Sequence, residues 1–158
     1  MQTSKIYGLI QTALLCLFAA AVFLGPRTPL FTLGQIPKVT GGILCLAGLF
    51  LLFAGITGLG RNIQISPAPK SDATLVTAGV YKWFRHPIYT GIVIIVVGIF
   101  LRTPTIAVAV AAAVVIAYLA IKVRFEEKLL LSRYPGYSDY QRRSWGLVPW
   151  PHWQSKRS

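Results

Sequence analysis

The amino-acid sequence predicts an all-α polytopic membrane protein with about four transmembrane helices and a cytoplasmic C-terminal helical segment. Its composition indicates a membrane, because 54% of the 158 residues are hydrophobic and 13% are charged, with a mean hydropathy of +0.60. A soluble protein with a net charge of +12 would suggest a nucleic-acid partner, but too little of this chain is hydrophilic for that class. We therefore expect one membrane domain, residues 1–158, with lipids around it and no nucleic acid.

Four apolar stretches account for the expected spans: residues 6–24, 39–60, 88–101 and 105–123. About 20 helical residues, at a rise of about 1.5 Å each, are needed to cross the hydrocarbon core. The first, second and fourth stretches are long enough, whereas the third has fourteen residues. The first is also longer than the apolar part of a signal peptide, so we expect it to remain as a span. A tight link, Arg102-Thr103-Pro104, makes the third and fourth stretches a helical hairpin.

Glycines mark one face of the second stretch. Gly48 and Gly55 are seven residues apart, which is about two helical turns, so they lie on the same face of a helix. A face of small residues lets another helix approach closely inside a membrane. We therefore expect a neighbouring helix to pack against this face.

The cysteines give no sign of a metal site. Cys16 and Cys45 both lie inside apolar stretches, with no CxxC pair and no histidine nearby. Buried small residues are the simpler interpretation, so we expect no bound metal.

The charged residues are distributed unevenly between the two ends of the predicted bundle. With four spans, the N-terminus, the 61–87 connection and the C-terminal tail share one side, and they carry thirteen of the sixteen Lys and Arg residues. The positive-inside rule makes this side cytoplasmic. All four acidic residues lie there too: Asp72, Glu126, Glu127 and Asp139. We expect a multi-pass integral protein of a prokaryotic inner membrane, with both termini and most polar chemistry in the cytoplasm.

The most informative polar segment is residues 79–91. Pro87 suits the first position of the third helix, and the free backbone N–H groups of that first turn can bind an anion. Arg85 and His86 come just before the turn, and Tyr89 projects from it. The alternative is an aromatic belt at the membrane interface, with Arg85 reaching the headgroups.

Two adjacent carboxylates, Glu126 and Glu127, follow the fourth stretch. Adjacent helical residues point about 100° apart, so both cannot serve one ligand equally. One carboxylate could hold a cationic ligand near the membrane. The alternative is weak surface pairing, of Glu126 with Lys122 or of Glu127 with Arg124, and the residues alone leave both open.

A third polar segment, residues 133–150, combines aromatic and basic side chains. Pro135-Gly136 predicts a turn, after which Tyr137 and Tyr140 lie three residues apart on one face of a short helix. Paired arginines follow and end at Arg143. The segment is typical of an interfacial amphipathic helix on anionic lipid, and the alternative is a cover over a bound cofactor.

Taken together, the three segments resemble the isoprenylcysteine carboxyl methyltransferase family and the related phospholipid N-methyltransferases. The resemblance covers about residues 79–150, the C-terminal half of the chain. Its specificity comes from the order and spacing of separate motifs, which are Gly79-Val80-Tyr81-x-Trp83-Phe84-Arg85-His86-Pro87-x-Tyr89-x-Gly91, Glu126-Glu127-x-Leu129, Tyr137-x-x-Tyr140 and Pro149.

This resemblance implies an S-adenosyl-L-methionine cofactor bound on the cytoplasmic side by residues 79–91 and 124–150. The implied cofactor-binding residues are Tyr81, Arg85, His86, Tyr89, Glu126, Glu127, Tyr137 and Tyr140. A helix N-terminus beside basic side chains suits the cofactor carboxylate, while a glutamate suits its ammonium or sulfonium. Aromatic side chains of the last segment suit the adenine.

Methyl transfer from a sulfonium is an in-line displacement that mainly requires alignment and desolvation. We therefore expect Arg85, Glu127 and Arg143 to be catalytic, with Arg85 or Arg143 steering an anionic acceptor. A carboxylate acceptor needs no general base, whereas an amine must first lose a proton.

The acceptor is expected to be lipophilic and to enter from the bilayer beside the short third span. A prenylcysteine-like carboxylate is the substrate after which the family is named, and a phospholipid amine and a small lipophilic thiol or acid remain open. Less favoured are a non-catalytic membrane subunit and a sterol-reductase-like NADPH enzyme, and the sequence contains no glycine-rich dinucleotide loop. None of these features specifies an oligomeric state.

Overall fold

A computed structural model describes residues 2–31, 34–60 and 75–147, which fold mainly into helices. In chain order the helices are α1 (Gln2–Leu24), α2 (Gln35–Leu59), a 3₁₀ helix (Gly79–Lys82), α3 (Pro87–Arg102), α4 (Ile106–Arg133) and α5 (Tyr137–Arg143). By length and composition, α2, α4 and the part Ile6–Leu24 of α1 can cross a membrane, while α3 is a shorter apolar helix. The predicted fold class, an all-α polytopic membrane protein, is confirmed.

Helices α2 and α3 lie side by side because glycines leave no side chains between their backbones. A Cβ atom added to Gly48 would lie 2.7 Å from the carbonyl oxygen of Gly91, and one added to Gly91 would lie 2.7 Å from that of Gly48. Gly41 and Gly98 face each other in the same way farther along the helices. The two helices are therefore antiparallel and in close contact, as the spacing of the α2 glycines predicts.

Helices α1 and α4 form the other half of the bundle. At one end the Tyr7 ring stacks on Phe125, with ring centroids 4.9 Å apart, and at the other end a Cβ on Gly25 would lie 3.3 Å from the Ala107 Cβ. This pair is therefore antiparallel too. Buried apolar side chains from α1, α3 and α4 form a common core, made of Phe18, Ile92, Val96, Val108, Ala111, Ala112, Val115 and Leu119.

The polar motifs collect at one end of this bundle. Because both helix pairs are antiparallel, the starts of α1 and α3 and the ends of α2 and α4 lie at the same end. The 3₁₀ helix is fixed there by Tyr81, whose hydroxyl donates to the Gly55 carbonyl of α2 at 3.1 Å. Segments that are distant in sequence therefore face each other around the start of α3.

Helix α4 is longer than the sequence predicts. The expected span ends at residue 123, whereas α4 continues to Arg133. The added residues are mostly good helix formers, and the helix stops just before the residue that precedes Pro135, a position that disfavours helical geometry. Glu126 and Glu127 thus project from the same continuous helix that contains the apolar stretch.

Some predicted features lie outside the described residues. They are the charged residues Arg61, Lys70 and Asp72 of the connection, and Pro149 at the end of the third motif. The third apolar stretch is described in full, and its helix exceeds the expected range 88–101 by one residue at each end.

Replacing Gly48 with alanine tests the contact between α2 and α3. The added Cβ would meet both the Gly91 carbonyl and the Ile95 side chain, so we expect Gly48→Ala to lower the free energy of unfolding by about 1–3 kcal/mol. Melting in detergent measures the effect. Gly34→Ala is the matched control, because its added Cβ would have no atom within 4 Å and its φ is −63°. Equal stability of the two variants would contradict the close contact.

Candidate active site

Two chain segments that are far apart in sequence meet at the start of α3. The backbone N–H of Arg85 donates to the Trp145 carbonyl at 2.8 Å, and the N–H of Trp145 donates to the Trp83 carbonyl at 2.7 Å. The Phe84 and Trp145 rings meet edge to face, with centroids 5.4 Å apart. The segment after α5 is thereby fixed beside the segment before α3, which brings the first and third polar motifs together.

The Arg85 side chain connects the start of α3 with α4 and α5. Its Nε donates to Glu127 Oε1 on α4 at 2.8 Å. Its Nη1 donates to the Gln141 carbonyl at 2.7 Å and to the Ser144 carbonyl. A guanidinium presents several donors in one fixed plane, so a single side chain can satisfy a carboxylate and two carbonyls. Only 6% of this side chain is exposed, which makes it a buried junction rather than a surface charge reaching for headgroups.

The two adjacent glutamates have different partners. Besides the guanidinium contact, Glu127 accepts from Gln141 Nε2 at 3.1 Å. Glu126 accepts from the Tyr89 hydroxyl at 2.7 Å. His86 lies between the carboxylates, with Nδ1 3.7 Å from a Glu126 oxygen and Nε2 3.4 Å from a Glu127 oxygen. As their helical spacing predicts, the two carboxylates do not serve the same partner equally.

Tyr81 and Tyr140 hold the site together through their hydroxyls. Tyr140 Oη donates to the Tyr81 carbonyl at 2.6 Å, and Tyr81 Oη donates to the carbonyl of Gly55. These contacts fix α5 to the 3₁₀ helix and the 3₁₀ helix to α2. Burial raises the pKa of Tyr140 to about 12, so its hydroxyl keeps its proton and remains a donor at neutral pH.

Two buried polar atoms of this cluster form no hydrogen bond, although one of them, His86 Nε2, lies 3.4 Å from a Glu127 oxygen in a geometry that does not suit a hydrogen bond. They are His86 Nε2 and Tyr137 Oη, and no other buried side-chain atom among the residues that the structure describes is in this state. Tyr137 is 1% exposed, and burial, together with the negative charge of Glu127, raises the pKa of its hydroxyl. An unpaired buried polar group costs about 1–3 kcal/mol and is uncommon in folded proteins. Both atoms therefore mark a place where a polar ligand would complete the hydrogen bonding.

The pairing of Glu126 with Lys122 that the sequence leaves open is present, but it is buried. Lys122 Nζ lies 4.0 Å from Glu126 Oε1 and 4.9 Å from the centroid of the Tyr89 ring. The lysine is 1% exposed. This pair is therefore part of the cluster and not a solvated surface contact.

Arg143 lies apart from the cluster. Its side chain is exposed, and its Nε donates to the Asp139 carbonyl of its own helix at 3.2 Å. The other predicted site residues come together at the end of the bundle: Tyr81, Arg85, His86, Tyr89, Glu126, Glu127, Tyr137 and Tyr140. A catalytic role for Arg143 stays a prediction from sequence that its position does not support, which leaves Arg85 as the arginine within the cluster.

Several backbone carbonyls that complete the cluster could not be predicted from the sequence. The carbonyls of Gln141 and Ser144 accept from Arg85, and the Leu147 carbonyl accepts from Thr90 Oγ1 at 2.9 Å. Every residue carries a carbonyl, so no residue pattern could have indicated these acceptors. They nevertheless fix the segment that closes over the start of α3.

The charges of the cluster suit a small ligand that carries both signs. A guanidinium, two carboxylates and two unpartnered polar atoms lie close together in a largely buried place. Among the described residues, no group of three or more His, Cys, Asp or Glu side chains is placed to hold a metal ion. The side chains of the cluster can form hydrogen bonds and ion pairs and can exchange protons.

Comparison with known proteins identifies the family. Residues 36–136 match the family model described as phospholipid methyltransferase. Since this match covers more than half of the sequence, the chain belongs to the phospholipid methyltransferase family. The family predicted from the three motifs is thereby confirmed.

Curated relatives carry several different names. The chain is 34% identical over 116 residues to a protein-S-isoprenylcysteine O-methyltransferase of Tribolium castaneum, covering 69% of this chain and 40% of the relative. It is 33% identical over 109 residues to the cobalt-zinc-cadmium resistance protein CzcN of Cupriavidus metallidurans, covering 68% and 49%. It is 36% identical over 76 residues to the methanethiol S-methyltransferase of Mycobacterium tuberculosis, covering 46% and 30%. The chain thus spans about half or less of the length of these relatives.

Arg85→Lys tests the role of the guanidinium as a junction. Lysine keeps the charge but cannot donate to Glu127 and to the carbonyls of Gln141 and Ser144 in one fixed plane. We expect amide hydrogen exchange in residues 137–147 to become about tenfold faster, with exchange in α2 unchanged, as measured by mass spectrometry. The matched control is Arg124→Lys, which makes the same change at an exposed arginine of α4. Unchanged exchange in Arg85→Lys would show that α5 is held by other contacts.

Proposed function

We propose that this protein is a membrane methyltransferase that uses S-adenosyl-L-methionine to methylate a lipophilic acceptor. The observation that carries the proposal is the pair of unpartnered buried atoms, His86 Nε2 and Tyr137 Oη, beside the ion pair of Arg85 with Glu127. Membership of a methyltransferase family supports the reaction type.

The polar groups of the cluster fit the charged part of S-adenosyl-L-methionine, which has a carboxylate, an ammonium and a sulfonium. Tyr137 Oη can donate to a carboxylate, and so can His86 Nε2 when the ring hydrogen is on that nitrogen. The backbone N–H groups in the first turn of α3 add further donors and a favourable dipole. Glu127 supplies negative charge for the ammonium or sulfonium, and the rings of Tyr137 and Tyr140 suit the adenine.

Alignment and exclusion of water are the contributions that this chain can make to methyl transfer. The chemistry that the bound cofactor supplies is an electrophilic methyl group on a sulfonium. Arg85 holds α5 over the start of α3, which buries the cluster and keeps water away from it. The fixed partners of Glu126 and Glu127 hold both carboxylates in place, so a bound ligand meets a preorganised site.

A prenylcysteine-like carboxylate is the acceptor that we propose. Such a carboxylate is already a nucleophile at neutral pH and needs no general base. A small lipophilic thiol is the second candidate: in that case His86 Nε2 would accept the thiol proton, and Tyr137 Oη alone would donate to the cofactor carboxylate. A relative named methanethiol S-methyltransferase supports this second candidate, and a phospholipid amine would need His86 in the same way.

We further propose that the site faces the cytoplasm and receives its acceptor from the bilayer. The uneven distribution of Lys and Arg supports this orientation, with both termini in the cytoplasm of a prokaryotic cell. Helix α3 has 16 residues, about 24 Å at the helical rise, which is less than the ~30 Å hydrocarbon core. The start of α3 can therefore lie below the headgroups, where a lipid-borne acceptor reaches it.

Tyr137→Phe tests the cofactor assignment, because it removes one unpartnered hydroxyl and nothing else. We expect the variant to bind S-adenosyl-L-methionine about three- to tenfold more weakly than the wild type, as the loss of one hydrogen bond predicts. Isothermal titration calorimetry in detergent measures the affinity. Tyr7→Phe is the matched control, since it removes the hydroxyl of an α1 tyrosine whose ring stacks on Phe125 and not on a predicted cofactor-binding residue. Equal affinity in all three proteins would remove Tyr137 from the cofactor site.

A panel of acceptors identifies the substrate class. The wild-type protein in lipid nanodiscs receives S-adenosyl-L-methionine with an isotope-labelled methyl group, together with farnesylcysteine analogues, phospholipids or lipophilic thiols. We expect label in the farnesylcysteine carboxylate and none in its methyl ester, which has no free carboxylate. Label in thiols or phospholipid amines alone would replace the proposed acceptor, and cofactor binding without transfer to any of them would indicate a non-catalytic subunit.

A further inference from the structure

Lys122 places an ammonium group inside the apolar part of α4. Its neighbours in sequence, Ile121 and Val123, are both apolar, and the lysine is 1% exposed. Removing an ammonium from water is costly unless partners in the protein satisfy it. An apolar side chain would fill the same position without that cost, so the charge requires an explanation.

The ammonium of Lys122 contacts groups on three helices. Its Nζ donates to Gln11 Oε1 of α1 at 2.5 Å. It lies 4.0 Å from Glu126 Oε1, one turn farther along α4, and 4.9 Å from the centroid of the Tyr89 ring of α3. A cation at this distance from an aromatic face is attracted to it. Lys122 is therefore held in one position between α1, α3 and α4.

Two partners of Lys122, Glu126 and Tyr89, also contact His86. The Glu126 oxygen that faces Lys122 also accepts from the Tyr89 hydroxyl, at 2.7 Å. The other Glu126 oxygen lies 3.7 Å from His86 Nδ1, and the His86 ring stacks on Tyr89 with centroids 5.8 Å apart. The ring edge opposite to Nδ1 carries the unpartnered Nε2. A single side chain, Glu126, therefore lies between Lys122 and His86, whose Nε2 forms no hydrogen bond.

We propose that Lys122 is a positioning residue of the methyl-transfer site, held by Gln11 and holding Glu126, the carboxylate that accepts from Tyr89 and orients His86 toward the bound ligand. The inference rests on the proposed function of that site. Lys122 acts through its neighbours and does not itself need to touch cofactor or acceptor. Helix α1 lies outside the family match of residues 36–136, so this contact also gives α1 a part in the site.

Lys122→Met tests the proposal when it is made alone and in a Glu126→Gln background. We expect Lys122→Met alone to weaken S-adenosyl-L-methionine binding about tenfold, and to have almost no further effect when Glu126 is already replaced. A residue that merely stabilises the fold would weaken binding equally in both backgrounds. Lys128→Met, which makes the same change at an exposed lysine of α4, should bind like the wild type.

Two results overturn the proposal: wild-type affinity in Lys122→Met, or an equal loss of affinity in both backgrounds. If Lys122→Met does not purify as a folded protein, Gln11→Leu takes its place in the same comparison, because it removes the partner and keeps the lysine. We then expect about a threefold loss alone and none beside Glu126→Gln. Equal losses in both backgrounds would again exclude positioning through Glu126.

Failure of the proposed function gives a different result, since the wild type itself would bind no S-adenosyl-L-methionine. The contact between Gln11 and Lys122 is then judged in the ligand-free protein by melting Gln11→Leu, Lys122→Met and the double variant. If the double variant has the same melting temperature as the less stable single variant, the result supports the coupling of α1 to α4 through this contact. Additive losses would overturn it.

Discussion

The Arg85 guanidinium lies where the start of α3, the end of α4 and the end of α5 meet, bonded to the Glu127 carboxylate and to two backbone carbonyls. Removing either member of a buried ion pair leaves an uncompensated charge, which is far more costly than losing a surface pair. The same guanidinium holds the end of α5 beside His86, together with the Tyr140 hydroxyl and the backbone hydrogen bonds of Trp145. Glu126 is held separately, by Tyr89 and Lys122.

The bundle supplies the frame in which that interaction can form. Glycine contacts set α2 directly against α3, which fixes where α3 begins. The Tyr81 hydroxyl then ties the 3₁₀ helix to the end of α2, and the Tyr140 hydroxyl ties α5 to the 3₁₀ helix. Apolar surface along the helices faces lipid or the shared core, so the polar groups concentrate at one end. A membrane protein with few charged residues can thereby assemble a dense polar site.

Much of this organisation could be predicted from the sequence, because hydropathy and spacing report local structure directly. The four apolar stretches, the glycine face containing Gly48 and the different roles of Glu126 and Glu127 all follow from helical geometry. The eight predicted cofactor-binding residues lie together at one end of the bundle, whereas Arg143 lies apart from them. Arg143 could not be placed in advance, since the direction in which the last helix presents each side chain depends on tertiary contacts.

Contacts to the backbone and across long sequence separations could not be predicted. The carbonyls of Gln141 and Ser144 carry no residue signature, although they hold Arg85 in place. Gln11 and Lys122 are 111 residues apart, and nothing in the pattern of α1 relates it to the C-terminal motifs. The spacing of Lys122 and Glu126 indicated a pair, but its burial depends on α1, which packs against α4.

Nitrogen NMR of the histidines can show whether the cofactor binds beside His86, because the chain has only two histidines. A His152→Gln variant leaves His86 as the single histidine, and ¹⁵N labelling of histidine then gives one pair of ring signals. We expect titration with S-adenosyl-L-methionine to shift the Nε2 signal of His86 strongly and saturably, because this atom gains a hydrogen-bond partner. An Nε2 signal that does not move while calorimetry records bound cofactor would contradict the placement of the cofactor at this cluster.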